Sequence, residues 1–165
     1  MELKNTLKLR ILKNAKAEEL AEIGEISQEA FLRFGDYRDF ISDLASDEDG
    51  VFTAMLIDVD RIAGFILVGF MNTKTGGLIA DILAIALKPD YRYMGLGEEL
   101  MSWAMDLVNT IHKTRNILYA RLTVAPDNEP AVKLFRKFGF EFDGSDIGVY
   151  STGVPAAYMK KLFLP

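Results

Sequence analysis

The sequence predicts one mixed α/β domain. Three observations carry this: strand-like and helix-like periodicities alternate along the chain, no repeat, low-complexity tract or linker interrupts them, and 165 residues suit a single core. Half of the residues are hydrophobic, enough to fill that core.

"LKLRIL", Leu7 to Leu12, alternates apolar and charged residues and reads as an opening strand. From Ala17 to Phe34 the period turns helical, with Leu20, Ile23, Ala30, Phe31 and Phe34 sharing a face. "GDYRDFISDLASDEDG" is acidic and broken, as expected of a short helix and a loop. "VFTAMLID" and "IAGFILVGF", joined by "VDR", read as a hairpin, and "NTKTGG" as a second turn. "LIADILAIAL", Leu78 to Leu87, is apolar except for Asp81, as suits a strand buried on both faces in mid-sheet.

A helix follows from Gly97, with Leu100, Trp103, Ala104, Leu107, Val108 and Ile111 on one face. "NILYARLTV" is a further strand. In "DNEPAVKLFRKFGF", Asp127 or Asn128 caps a helix, Pro130 sits in its first turn and Gly139 stops it. The order is strand, helices, three strands, helix, strand, helix, two strands, the last in "AAYMKKLFL" after the loop "GSDIGVYSTGVP".

Composition excludes several chemistries. With 19 basic against 24 acidic residues the net charge is -5, which disfavours general nucleic-acid binding. The chain has no cysteine, so it has no thiol nucleophile, thiolate zinc site or disulfide. Its single histidine, His112, falls near the end of a helix and builds no multi-histidine metal site. No stretch reaches the roughly 18 apolar residues of a membrane span, and the N-terminus lacks a signal-peptide pattern. These features lead us to expect a cytoplasmic protein without metal, nucleic-acid or membrane partners.

The stretch "RYMGLGEE" places Gly95 and Gly97 where a helix begins. A helix N-terminus carries unpaired N–H groups and partial positive charge, and glycine lets an anion approach the backbone. The pattern fits a pyrophosphate cradle, and equally a tight strand-to-helix turn. It is no dinucleotide fingerprint, because position 100 is Leu100, and no P-loop, because no Gly-Lys-Ser/Thr end is present.

Together these motifs resemble the GNAT superfamily of acyl-CoA-dependent N-acyltransferases. Arg92, Gly95 and Gly97 match its Arg/Gln-x-x-Gly-x-Gly/Ala motif, and Asn128, Ala131, Leu134, Gly139 and Phe140 match its second motif, in the family's order and over nearly the whole chain. The resemblance implies a central, mostly antiparallel mixed sheet of about seven strands, flanked by helices, with a splayed central strand pair. It further implies an N-acetyltransferase that passes an acetyl group from acetyl-CoA to a primary amine by direct attack in a ternary complex. The backbone of Arg92, Tyr93, Met94, Gly95, Leu96, Gly97 and Glu98 would hold the pyrophosphate, and Ile85, Ala86 and Leu87 would run along the pantetheine arm. The Ile85 amide would polarise the thioester carbonyl, and Asn128 would reach the cofactor arm. The alternative is a non-catalytic acyl-CoA-binding or regulatory module of the same fold.

Asp81, the sole acid of its strand, stands where the similar enzymes often carry a glutamate base, and desolvation there would raise its pKa. The other reading is that it caps a turn or faces solvent. The related enzymes' tyrosine acid is Phe135 here, leaving Tyr150 or Tyr158 as substitutes. Acceptor choice in the family comes from the segments "AFLRFGDYRDF" and "GSDIGVYSTGVPAAY". Their aromatics Phe31, Phe34, Tyr37 and Tyr150 beside Asp36, Asp39 and Asp146 suit a cationic amine, from a small molecule or from a protein or peptide. Such a protein would be a monomer or homodimer.

Overall fold

The computed structural model of the chain describes residues 6–47, 49–145 and 147–165. Its elements run β1 (Leu7–Ile11), α1 (Ala17–Ala30), α2 (Arg38–Ser46), β2 (Val51–Asp58), β3 (Arg61–Asn72) and β4 (Leu78–Leu87). They continue as α3 (Leu96–His112), β5 (Ile117–Val124), α4 (Glu129–Lys137), β6 (Glu141–Phe142) and β7 (Ala157–Leu162). The strands form one seven-stranded sheet in the order β1-β2-β3-β4-β5-β7-β6. Only β4 and β5 run parallel, so the sheet is mixed and mostly antiparallel, as expected.

Strand alternation sends side chains to two separate cores. On one face Ala54, Leu56, Ile66, Val68 and Ala80 pack under Leu96, Leu100, Met101, Ala104 and Val108 of α3, with Val132 and Phe135 of α4. On the other, Met55, Phe65 and Leu67 meet Ile23 and Ile26 of α1 and Ile41 and Ala45 of α2. The sheet is thus a wall between two helical layers.

Helix α1 stops at Ala30, four residues before the expected end at Phe34. The chain then turns, with the Phe34 N–H bonded to Phe31 O, and Phe31 and Phe34 leave the helical stripe for the sheet's opening described below. Among the described residues no helix is long and apolar enough to cross a membrane.

Candidate active site

The site begins where β4 and β5 part. Their ladder runs from Leu78 opposite Ile117 to Ile82 opposite Leu122, after which the two strands no longer pair with each other. At the same point β4 carries a bulge: Leu67 lies opposite Ala84 and Val68 opposite Ile82, leaving Leu83 unopposed. The extra residue switches the faces of the strand. Leu78, Ala80 and Ile82 serve the α3/α4 core, whereas Ala84 and Ala86 serve the α1/α2 core.

The parted segment has an open main-chain edge. Lys88 N–H bonds to Ala63 O at 2.9 Å, so by the antiparallel alternation Ala86 and Ala84 also turn their backbone groups to β3. The intervening residues Ile85 and Leu87 turn theirs to the side that β5 has vacated. The Leu87 carbonyl there accepts from Arg92 Nε at 3.0 Å. Of the three residues expected along a pantetheine arm, Ile85 and Leu87 present backbone groups to the gap, and Ala86 does not.

The glycine loop lies at the end of this edge. Pro89–Tyr91 makes one 3₁₀ turn, and Tyr93 and Gly95 take φ of 63° and 78°, turning the chain left-handed into α3. Gly95 is the N-cap of that helix, a conformation glycine adopts without Cβ strain. Gly97 answers a different demand, because a Cβ there would stand 3.2 Å from Leu134 Cδ2 of α4. The first turn of α3, with its unpaired N–H groups and positive end, therefore follows directly on the end of the open β4 edge. Leu96 is buried under the sheet, and Met94 packs partly on the same core. Tyr93 is almost fully exposed, and Glu98 pairs with Lys137. Arg92 contributes less directly than its place in the motif implies: its N–H bonds to Pro89 O and its guanidinium to Glu29 of α1 at 2.6 Å.

A cavity of about 330 Å³ runs through the gap. Towards α4 it is lined by Ile85, Val124, Asn128, Ala131 and Phe135, and towards α1 and α2 by Phe31, Phe34, Tyr37, Phe40, Ile41 and Tyr150. Asn128 is the N-cap of α4 but makes no side-chain capping bond, so its carboxamide stays at the cavity wall. The aromatic end is built by docking the loop before β7 on the turn after α1. Ser151 Oγ donates to Phe34 O, Thr152 Oγ1 donates to Arg33 O at 2.6 Å, and the Phe34 and Tyr150 rings lie 4.7 Å apart. Gly35 permits this contact, since a Cβ would come within 2.6 Å of Ser151 Oγ. Burial, helped by nearby Tyr37, pushes the Tyr150 phenol up to about 12.

Asp81 lies at the base of the gap without lining it. Arg121 Nε donates to its Oδ2 at 2.9 Å. Burial raises the Asp81 carboxyl above its ordinary value, and the hydrogen bond and charge of Arg121 oppose that shift. Tyr158 is not in the cavity, and its ring stacks under the Arg121 guanidinium at 5.0 Å. Of the expected acids, neither Asp36 nor Asp39 lines the aromatic end. Asp36 accepts the Arg38 N–H at the start of α2, Asp39 lies in that helix's first turn, and Asp146 lies outside the described residues. His112 is structural: its Nδ1 accepts Ile117 N–H at 3.1 Å, so its Nε2 donates to Leu164 O at 2.9 Å. Arg121 and Glu29 carry no sequence motif, and only the strand register and the packing of α1 reveal them. Phe40 ends the acceptor segment "AFLRFGDYRDF", and the start of α2 brings it to the cavity.

The comparisons with known proteins agree with this geometry. The profile of the Acetyltransferase (GNAT) family matches residues 17–140. An N-alpha-acetyltransferase from Sulfurisphaera tokodaii is 27% identical over 138 residues, 79% of each chain. A streptothricin acetyltransferase from Streptomyces lavendulae is 33% identical over 124 residues, 71% of this chain and 61% of the relative, so the match spans about three fifths of that protein's length. Among solved structures, the PaiA N-acetyltransferase of Thermoplasma acidophilum in complex with coenzyme A superposes with a TM-score of 0.70 at 17% identity, covering 94% of this chain and 99% of that one. A mixed seven-stranded sheet, a parted parallel pair and a glycine turn into α3 stand together with a profile match across most of the chain, and the chain belongs to the acetyltransferase (GNAT) family of enzymes.

Proposed function

We propose that the protein transfers the acetyl group of acetyl-CoA to a primary amine by direct attack within a ternary complex. The observation that carries this is the gap between β4 and β5, where an open β4 edge that ends at a glycine-capped helix start borders a cavity with an aromatic end. Donor and acceptor then approach from opposite faces and meet at Ile85.

The pyrophosphate binds at the first turn of α3, on backbone from Tyr93 to Glu98, where glycine removes the steric barrier and the helix end supplies positive potential. The arm lies along the open edge of β4 like an added strand, next to Ile85 and Leu87, and Asn128 contacts it from α4. The Ile85 N–H donates to the thioester carbonyl, and that bond strengthens as negative charge builds on the oxygen during attack. A fixed donor in an apolar cavity stabilises such an oxyanion by roughly 3 kcal/mol. The C–N bond forms, the C–S bond breaks, the thiolate departs, and the amine proton passes through water to Asp81. A covalent acyl-cysteine route is closed, because the chain has no cysteine.

The relatives' names support an amine of a polypeptide in one case and of a small molecule in the other. The reading is tested by calorimetric titration with coenzyme A and by amine-dependent thiol release from acetyl-CoA. Binding should weaken at least tenfold in a folded Gly95→Ala protein, since its φ of 78° and its closeness to the ligand both resist a Cβ. Unchanged affinity in that variant, or no thiol release with any amine, refutes the proposal.

A further inference from the structure

We infer that the acceptor is an α-amine flanked by a large apolar or aromatic side chain, which seats among Phe31, Phe34, Tyr37, Phe40 and Tyr150. This rests on the acetyl transfer proposed above and names the amine that the site selects.

Charge selects the form of the amine. Among the described residues no carboxylate lines the cavity. Asp36 is engaged at the start of α2, and Asp81, behind the wall, is already paired with Arg121. An ammonium entering this space would lose its water and gain no counter-ion from the described residues, an unfavourable exchange. The amine therefore enters neutral. An α-amine, with a pKa near 7.8, is about one third neutral at pH 7.5, whereas an alkylamine near 10.4 is roughly 0.1% neutral. A cavity whose described lining offers no carboxylate favours the former. Polyamines and lysine side chains fit poorly.

Shape selects the group that flanks it. Phe31 and Phe34 leave α1 just where the helix ends, Tyr37 and Phe40 come from the start of α2, and Tyr150 comes from the loop before β7. Successive rings along this wall lie in edge contact, Phe31 with Tyr37 and Tyr37 with Phe40, each pair 6.2 Å apart. Phe40 is 58% exposed at the mouth, an apolar ring held in water that a bound side chain would cover. Such a compartment rewards apolar contact. The same chemistry can arrive on an amino-acid amide or on a polypeptide N-terminus.

The test uses the full chain with acetyl-CoA and reads thiol release at pH 7.5. Phenylalanine amide is compared with serine amide, spermidine and α-blocked lysine, and a pentapeptide beginning with Phe is compared with one beginning with Ser. We expect kcat/KM at least about tenfold higher for the phenylalanine member of each pair, with spermidine and blocked lysine lower still. Phe34→Ala should collapse the Phe/Ser difference while coenzyme A affinity stays unchanged, and Phe40→Ala, at an exposed position, should do so partially without risk to folding. Preference for the free amide or for the peptide identifies the source. Equal use of phenylalanine and serine, or preference for spermidine or blocked lysine, overturns the inference and leaves acetyl transfer standing. Silence with every amine overturns both.

Discussion

Arg121 Nε lies 2.9 Å from Asp81 Oδ2, across the parallel pair β4 and β5, one rung before the strands separate. The residue opposite Asp81 on β3 is Gly69, without charge, and the residue opposite Arg121 on β7 is Lys160, itself paired with Asp143 at 2.8 Å. Asp81 thus answers to a single cation. Two opposed influences set its proton affinity, burial upward and Arg121 downward, with burial the larger.

A base must be deprotonated to work, so the rate rises as pH passes above the Asp81 pKa. Removing Arg121 leaves burial unopposed and raises that pKa further. Arg121→Gln should therefore move the acid limb of the kcat profile to higher pH, while Asp81→Asn should lower kcat by about 10²-fold, the range of general-base loss. Both variants should keep their affinity for coenzyme A. Should the acid limb stay in place in Arg121→Gln, it belongs to the acceptor amine and Asp81 leaves the mechanism.

The order of elements was legible because each has a clear period, and the glycine loop because its residues are contiguous. The cavity was less so. "DILAIAL" is apolar at nearly every position, so nothing in it marks the bulge at Leu83 or the switch of faces that follows. Phe31 and Phe34 continue the spacing of α1, and only the turn after Ala30 takes them out of the helix. The Glu29–Arg92 and Asp81–Arg121 pairs join residues distant in sequence, so only the completed fold reveals them. Asp36 and Asp39, expected from the family's acceptor segments as partners for a cationic amine, belong to the start of α2.

The turn between β2 and β3 stores strain. Val59 takes a φ of 59° and is 81% exposed, so a β-branched side chain holds the left-handed region with no packing in return. That conformation costs an L-residue roughly 1–2 kcal/mol. Asn occupies it more readily, and Val59→Asn should raise unfolding stability by about 1 kcal/mol, seen as a higher urea midpoint at unchanged m-value. A midpoint that falls would mean that Val59 is held by contacts absent from this structure.

The departing thiolate is where the chain differs most from the family pattern, because Phe135 is buried at the cavity wall with no proton to give. Of the two tyrosines expected as substitutes, Tyr150 lines the cavity and Tyr158 does not, yet burial pushes the Tyr150 pKa up to about 12. A thiol titrates near 8.5, so full transfer from Tyr150 would run uphill by about 3.5 units, close to 5 kcal/mol. The phenol can donate a hydrogen bond to the sulfur but is a poor proton donor. The kcat profile should then rise to a plateau and lack an alkaline limb below about pH 11. Tyr150→Phe should lower kcat by less than about tenfold without changing the profile's shape, and Phe135→Tyr should change kcat little, because thiolate departure needs no acid. The check is the kcat profile of all three proteins from pH 6 to 10.5. A falling limb in the wild type that disappears in Tyr150→Phe would identify Tyr150 as the acid and show that its pKa falls when acetyl-CoA binds.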